Sequence, residues 1–230
     1  MLTVYALPID RALCEAGFES LLVLCGEETA AAIRRLVRRD DRLRGLWSAL
    51  LTRSLICRDL GIPNAALRFD RGERGKPFLR DRPTYQFYTA HAGDWVVAIT
   101  DDQPVGIDIE EIRPLDLAIA HSYFSHAEAA ALEAQPVPEQ LGYFFSLWVL
   151  KESYLKATGE GLHRDLSTFT VTLSGEAAGL QVPPGEVPRY LREYDVAAGY
   201  RAGACATHGR FPQEVRHLEG SEVLAALGSG

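Results

Sequence analysis

Gly106-Ile-Asp-Ile-Glu110 and, further along, Trp148-Val-Leu-Lys-Glu-Ser-Tyr-Leu-Lys156 are the stretches on which the fold turns. The first reads as a β-strand, Val105–Glu110. Side chains two apart on a strand face the same way, so Asp108 and Glu110 project together while Ile107 and Ile109 pack behind. Two carboxylates about 6–7 Å apart on one strand repel each other unless a cation or a basic group lies between them. Hard oxygen donors of this kind suit Mg²⁺, which keeps several waters and completes its shell with substrate phosphates. A strand with a solvated outer face would carry the same pattern.

The second stretch lies in a helix expected over Gln140–Thr158 and ended by Gly159 and Gly161. Trp148, Glu152 and Lys156 fall at i, i+4 and i+8, on one face. A Glu-to-Lys surface pair, worth about 0.2–0.5 kcal/mol, is the plain reading. The helix is otherwise largely apolar, however, and such a helix packs on a sheet. That makes a half-buried Glu152 and the lysines at 151 and 156 candidate site residues. The segment Gly75-Lys-Pro77 holds Lys76 on a constrained turn, suited to meeting a phosphate as a point charge, and His91 ends a strand.

Outward from these stretches, two halves emerge. Residues Val4–Asp10 form a first strand, then helices are expected over Glu27–Arg39 and Arg42–Leu60, the latter stopped by Gly61-Ile-Pro63. Strands follow at Tyr85–Ala90 and Trp95–Thr100, and Asp101-Asp-Gln-Pro104 is a turn and a seam. Pro114 to Ala134 leans to helix, broken by Pro136 and Pro138; strands are expected at Phe169–Leu173, Tyr190–Asp195 and Tyr200–Ala206, then a charge-punctuated tail. Leu43–Arg53 echoes Leu141–Lys151 when the two are laid 98 positions apart, which sets Ser54 opposite Glu152. The expected fold is therefore α+β, with two similarly built halves at 1–103 and 104–230.

Composition narrows the function. The chain has 230 residues, 47% hydrophobic and 24% charged, as a globular protein with a real core should. A net charge of −7 argues against a general nucleic-acid binder, and no apolar run approaches the roughly 18–20 residues a membrane span needs. Cys14, Cys25, Cys57 and Cys205 show no metal-ligand spacing, so free buried thiols in a reducing cytosol are expected. Between Glu27 and Asp59 eight arginines face five acids. Such a tract either focuses an anionic ligand or forms a solvated helix face.

Together, Gly75-Lys-Pro77, Phe87-Tyr-Thr-Ala-His91, Gly106–Glu110 and Trp148–Lys156 with Gly159-Glu-Gly-Leu162 resemble, in order, the 4′-phosphopantetheinyl transferases of the large, surfactin-synthetase-activating type. The tail segments Tyr194–Tyr200 and Cys205–His208 are similar as well, so the resemblance spans nearly the whole chain. It implies two pseudo-symmetric halves with the active site in the cleft between them. It also implies transfer of the phosphopantetheine arm of coenzyme A to a serine of an apo carrier protein (acyl, peptidyl or aryl), releasing adenosine 3′,5′-bisphosphate. On this resemblance Asp108, Glu110 and Glu152 would hold Mg²⁺, with Mn²⁺ as the alternative. Glu152, or a water held by one of the acids, would be the base; Lys156 would bind phosphate or assist the leaving group, and Lys151 would support the transition state. Lys76 and His91 would contact the coenzyme A phosphates. An acidic carrier protein would dock near Arg113–Phe124, with Tyr123 and Phe124 as apolar contacts. A cytoplasmic monomer is expected.

The departures all concern nucleotide grip. Tyr88 and Ala90 replace an Asn and a Ser, Thr29 and Ala32 stand where lysines grip the 3′-phosphate, and Gly45 stands where a hydroxyl is common. Arginines at 34, 35, 38, 39, 42 and 44 are the candidate substitutes, because charge is not dropped cheaply from a polyanion site. The rival readings are a carrier-binding relative with weakened coenzyme A binding, and a metal-dependent pyrophosphatase or nuclease. The intact acids and lysines argue against the first, and the absence of further acidic clusters against the second.

Overall fold

A computed structural model describes residues 1–72, 74–161, 164–174 and 177–228. The first half runs β1 (Thr3–Pro8), α1 (Arg11–Val23), α2 (Glu27–Arg35), α3 (Arg39–Leu60), β2 (Phe69–Arg71), β3 (Pro77–Leu79), β4 (Gln86–Ala92) and β5 (Trp95–Asp101). The second runs β6 (Val105–Glu111), α4 (Ala120–Tyr123), α5 (His126–Glu133), α6 (Val137–Thr158), β7 (Thr170–Ser174), β8 (Ala177–Gln181), β9 (Tyr190–Tyr194) and β10 (Tyr200–Ala206). The tail adds β11 (Arg216–His217) and α7 (Gly220–Gly228).

Two main sheets form, ordered β11-β1-β5-β4 and β6-β10-β9-β8-β7, and β2 pairs with β3 in a small third. In each main sheet, the leading strand of the half pairs antiparallel with the last strand of a later hairpin: β1 with β5, and β6 with β10. Each half also carries one 22-residue helix, α3 or α6, offset by the same 98 positions as the sequence echo. The expected α+β architecture with two related halves is what the chain adopts.

Alternation along the strands divides the apolar residues between layers. Tyr5, Leu7, Val96 and Ala98 pack towards α3 with Leu46, Trp47 and Leu50. The opposite faces of the sheets meet, Val4, Ala6, Val97 and Ile99 against Ile107, Ile109, Ala202 and Ala204. Phe144, Leu147, Leu150 and Leu155 of α6 make a third core with Phe169, Val171 and Cys205. The order is thus helix, sheet, sheet, helix.

Several boundaries differ from the sequence expectation. The helix expected over Glu27–Arg39 stops at Arg35, because Leu36 turns extended and its carbonyl is held by Arg42 Nε at 2.7 Å. The helix expected from Gln140 begins earlier, at Val137: Pro136 caps α6 and Pro138 lies in its first turn, where no amide donor is needed. The tail crosses back to the first half. Arg216–His217 pairs parallel with β1, and α7 packs on α3, so these tail residues lie against elements of the first half. All four cysteines are free and buried. Among the described residues no helix is long and apolar enough to cross a membrane.

Candidate active site

Asp108 reaches the site because α6 lies directly on two glycines. A Cβ at Gly106 would overlap the Ser153 carbonyl oxygen and the Ala157 nitrogen. One at Gly203, on the neighbouring strand β10, would lie 2.8 Å from the Val149 carbonyl. The helix backbone therefore nests on β6 and β10 more closely than any side chain would allow. Ile107 and Ile109 point the other way into the core between the sheets, as the strand period requires. Asp108 faces α6, where Glu152 and Lys156 approach it one turn apart. The C-terminus of α6 closes at Gly159 in the left-handed conformation, φ 73°, as its position predicts. Gly161 is likewise left-handed, and Leu162 of the same motif lies outside the described residues.

Lys156 Nζ donates to Asp108 Oδ1 at 2.5 Å, while the buried Oδ2 has no hydrogen-bond partner among the described residues. Burial pushes the Asp108 carboxyl up, against the pull of Lys156. Burial also pulls Lys156 down, but the Asp108 charge and hydrogen bond outweigh it and leave the ammonium above its ordinary value. The direct contact favours the charged pair. Glu110 is raised to about 7, first by burial and then by Asp108; Glu152 is raised by the same two causes. Three carboxylates thus crowd one ammonium.

Among the described residues no three His, Cys, Asp or Glu side chains are already arranged to hold a metal ion. The expected set of Asp108, Glu110 and Glu152 is therefore gathered but not pre-assembled. Its chemistry fits Mg²⁺ nevertheless: hard oxygens, an unpartnered buried Oδ2 and mutual repulsion that a dication would relieve. Mg²⁺ commonly takes only one or two carboxylates and leaves the remainder of its shell to phosphates and water.

Lys76 crosses from the first half to this centre. Its Nζ donates to the carbonyls of Val105 at 3.1 Å and Lys156 at 3.0 Å, and lies 5.4 Å from the Tyr88 ring centre, whose other neighbour is Lys156 Nζ at 5.5 Å. Burial brings its pKa down to about 8. His91 reaches solvent on β4; partial enclosure and then Arg44 hold its imidazole below the ordinary value. Arg44 itself is tied to Asp41 at 2.6 Å and to the Gly93 carbonyl at 3.2 Å, and Arg42 to Leu36.

Three expected site residues lie elsewhere. Lys151 is wholly buried against Glu128, with Nζ 2.6 Å from Oε1, because its position on α6 turns it away from Asp108 and into the core. Ala90 is packed between the sheets and offers a ligand no side-chain contact. Phe124 is 3% exposed against Phe144, which removes it as a docking contact, whereas Tyr123 is 42% exposed and rests edge-on against Trp148. A Cβ at Gly45 would meet the Ile33 and Leu36 side chains at 3.4 and 3.5 Å, ordinary van der Waals contact, so nothing in the structure requires glycine there.

A cavity of about 550 Å³ opens beside Thr29 and Ala32 and is lined also by Arg35, Arg71, Pro77 and Thr89. Arg35 makes no hydrogen bond or ion pair among the described residues, unlike Arg34 and Arg39, which are engaged by Glu19 and Glu15. Glu128 and the cavity arginine Arg71 were not singled out as site residues by the sequence. For Glu128 the signal was present as Ser125-x-x-Glu128, a capping box.

Comparison of the sequence with known proteins points to one family. Residues 104–205 match the family model described as the 4′-phosphopantetheinyl transferase superfamily, and residues 14–103 match that of the 4′-phosphopantetheinyl transferase, N-terminal. The 4′-phosphopantetheinyl transferase Sfp of Bacillus subtilis (strain 168) is 35% identical over 96% of this chain and 99% of its own length. The chain belongs to the 4′-phosphopantetheinyl transferase superfamily. A second transferase, psf-1 of Bacillus pumilus, is 38% identical over 92% of this chain and 90% of its own. The solved holo-[acyl-carrier-protein] synthase of Thermotoga maritima overlaps 44% of this chain and 61% of its own at 17% identity and a TM-score of 0.39. Thr29 and Ala32 line the cavity together with Arg35, Arg53 and Arg71 and the acids Glu28 and Asp70.

Proposed function

We propose that this chain transfers the phosphopantetheine arm of coenzyme A to a serine hydroxyl of an apo carrier protein. The serine Oγ bonds to the β-phosphorus, the bond from that phosphorus to the bridging oxygen breaks, and adenosine 3′,5′-bisphosphate leaves. The observation that carries the reading is the crowding of Asp108, Glu110 and Glu152 around Lys156 at the line where α6 meets β6. Asp108, Glu110 and Glu152 would hold Mg²⁺, which when bound neutralises non-bridging phosphate oxygens as a Lewis acid.

The chain's own groups do the rest. Glu152, lifted by burial and by Asp108, is suited to accept the serine proton, since a base works best with a pKa near the working pH. Lys156 meets the charge that develops on the leaving phosphate. Lys76 and His91 stand beside it on the first half and meet the pyrophosphate. The cavity beside Thr29 and Ala32 takes the nucleotide end, with Arg35 and Arg71 as the phosphate contacts in place of the missing lysines. The carrier protein docks along Arg113–Tyr123, where Tyr123 offers an exposed ring.

Chromatographic assay of adenosine 3′,5′-bisphosphate tests this. Release should require coenzyme A, an apo carrier protein and Mg²⁺ together, and stop on chelation. Release that continues without carrier protein would instead mark a pyrophosphatase.

A further inference from the structure

Glu128 and Lys151 form a wholly buried ion pair, each side chain 0% exposed. The ammonium uses all its protons: on Glu128 Oε1 at 2.6 Å, on Oε2 at 2.8 Å and on the Phe169 carbonyl at 2.7 Å. The carboxylate accepts two main-chain amides besides, from Ser125 at 2.7 Å and from Val171 at 2.6 Å. Removing charges from water is costly, and an apolar pair of equal volume would serve packing as well or better. An apolar pair would not, however, give two amides from different elements a fixed acceptor. What the ion pair supplies is a directional anchor at the chain corner where α4 ends and α5 begins.

That corner carries the exposed ring of the proposed docking segment. Tyr123 rests on Trp148 at 5.7 Å, one helical turn before Glu152, and Phe124 packs on Phe144 at 5.0 Å. Residues 123 to 125 are thus bound to α6 at three points, the last through Glu128 to Lys151, the immediate neighbour of Glu152. We infer that the Glu128–Lys151 pair is a positioning device that sets the Tyr123–Ser125 corner against α6, so that a carrier protein seated on Tyr123 presents its serine to Glu152. This rests on the transferase reading above and assigns to Lys151 a role acting through Glu128 and Ser125 rather than on the phosphate.

The test is the split between the two substrates. The paired variant Glu128→Gln with Lys151→Met removes both charges together and keeps the volumes, which avoids a lone buried charge. It should raise KM for the carrier protein about 10-fold while KM for coenzyme A stays within about 2-fold, as expected when binding of one partner alone is disturbed. An unchanged carrier KM, or an equal rise in both, overturns the inference. Ser125→Pro, which suits the φ of −65° there, leaves the ion pair whole and removes the amide that Glu128 holds, gives the same reading should the paired variant not fold. A carrier-only KM rise of about 3-fold supports the inference, and no rise overturns it. Absence of transfer by the wild-type protein would instead strike the transferase reading.

Discussion

Lys76, from the first half of the chain, donates to the main-chain carbonyl of Lys156 at 3.0 Å and so caps the C-terminal end of α6. The last carbonyls of a helix lack intrahelical donors and carry partial negative charge, so a cation there satisfies both needs. The same ammonium reaches the Val105 carbonyl, binding the helix and the strand of the acid cluster to the turn Gly75-Lys-Pro77. Lys76→Met should leave two carbonyls without this donor and cost about 1–3 kcal/mol. Calorimetry on the ligand-free protein would show a lower Tm; an unchanged Tm would remove the cap from the account.

Gly106→Ala should damage both fold and site. The new methyl collides with backbone rather than with a movable side chain, so α6 must shift off β6 and carry Glu152 and Lys156 with it. Overpacking of this kind costs about 1–3 kcal/mol, and more where backbone blocks relaxation. The expected outcome is a lowered Tm with activity lost. Wild-type Tm and activity would mean that the close approach of α6 is not required.

Glu152→Gln should leave the fold intact, since it replaces a half-buried carboxyl already raised by burial and by Asp108. Transfer should fall by about 100-fold or more, the scale of general-base catalysis. Near-wild-type turnover would show that another group takes the serine proton.

Glu110 gives a pH dependence. Its folded pKa of about 7 stands above the ordinary 4.5, so between these values the folded chain binds more protons than the unfolded one. Stability of the metal-free protein, relative to Glu110→Gln, should therefore decline as pH rises from about 5 to about 7.5. Denaturant unfolding at pH 5, 6 and 7.5 measures it. Added Mg²⁺ should raise Tm more at pH 8 than at pH 6, because a ligating carboxylate must lose its proton. A stability difference that does not change with pH would contradict the burial of Glu110 and its crowding by Asp108.

Arg35→Ala should raise KM for coenzyme A and reduce the preference for coenzyme A over its 3′-dephospho form, with the carrier KM unchanged. Equal use of both forms by the wild-type chain would mean that no 3′-phosphate grip exists in the cavity beside Thr29 and Ala32.

What the sequence made legible was local. The period-2 run at Val105–Glu110, the apolar 3–4 spacing before Gly61 and Gly159, and the turn at Asp102 each follow from a few neighbouring residues. What it hid was tertiary. Ala177–Gln181 has no β-branched or aromatic residue, and it becomes a strand because β7 and β9 offer it partners on both sides. Lys151 and Lys156 sit on one helix with similar local surroundings. Only the placement of α6 across Gly106 and Gly203 decides that Lys156 meets Asp108 while Lys151 meets Glu128. For the same reason Tyr123 and Phe124, adjacent in sequence, divide between surface and core. The return of Arg216–His217 to β1 depends on a parallel pairing that two residues cannot announce.

The most direct measurement is the intact mass of an apo carrier protein after incubation with this chain, coenzyme A and Mg²⁺. The account predicts a gain of about 340 Da on the carrier, at a serine, as expected for a covalently transferred phosphopantetheine arm. A carrier protein that keeps its starting mass, under conditions where a known transferase modifies it fully, would contradict it.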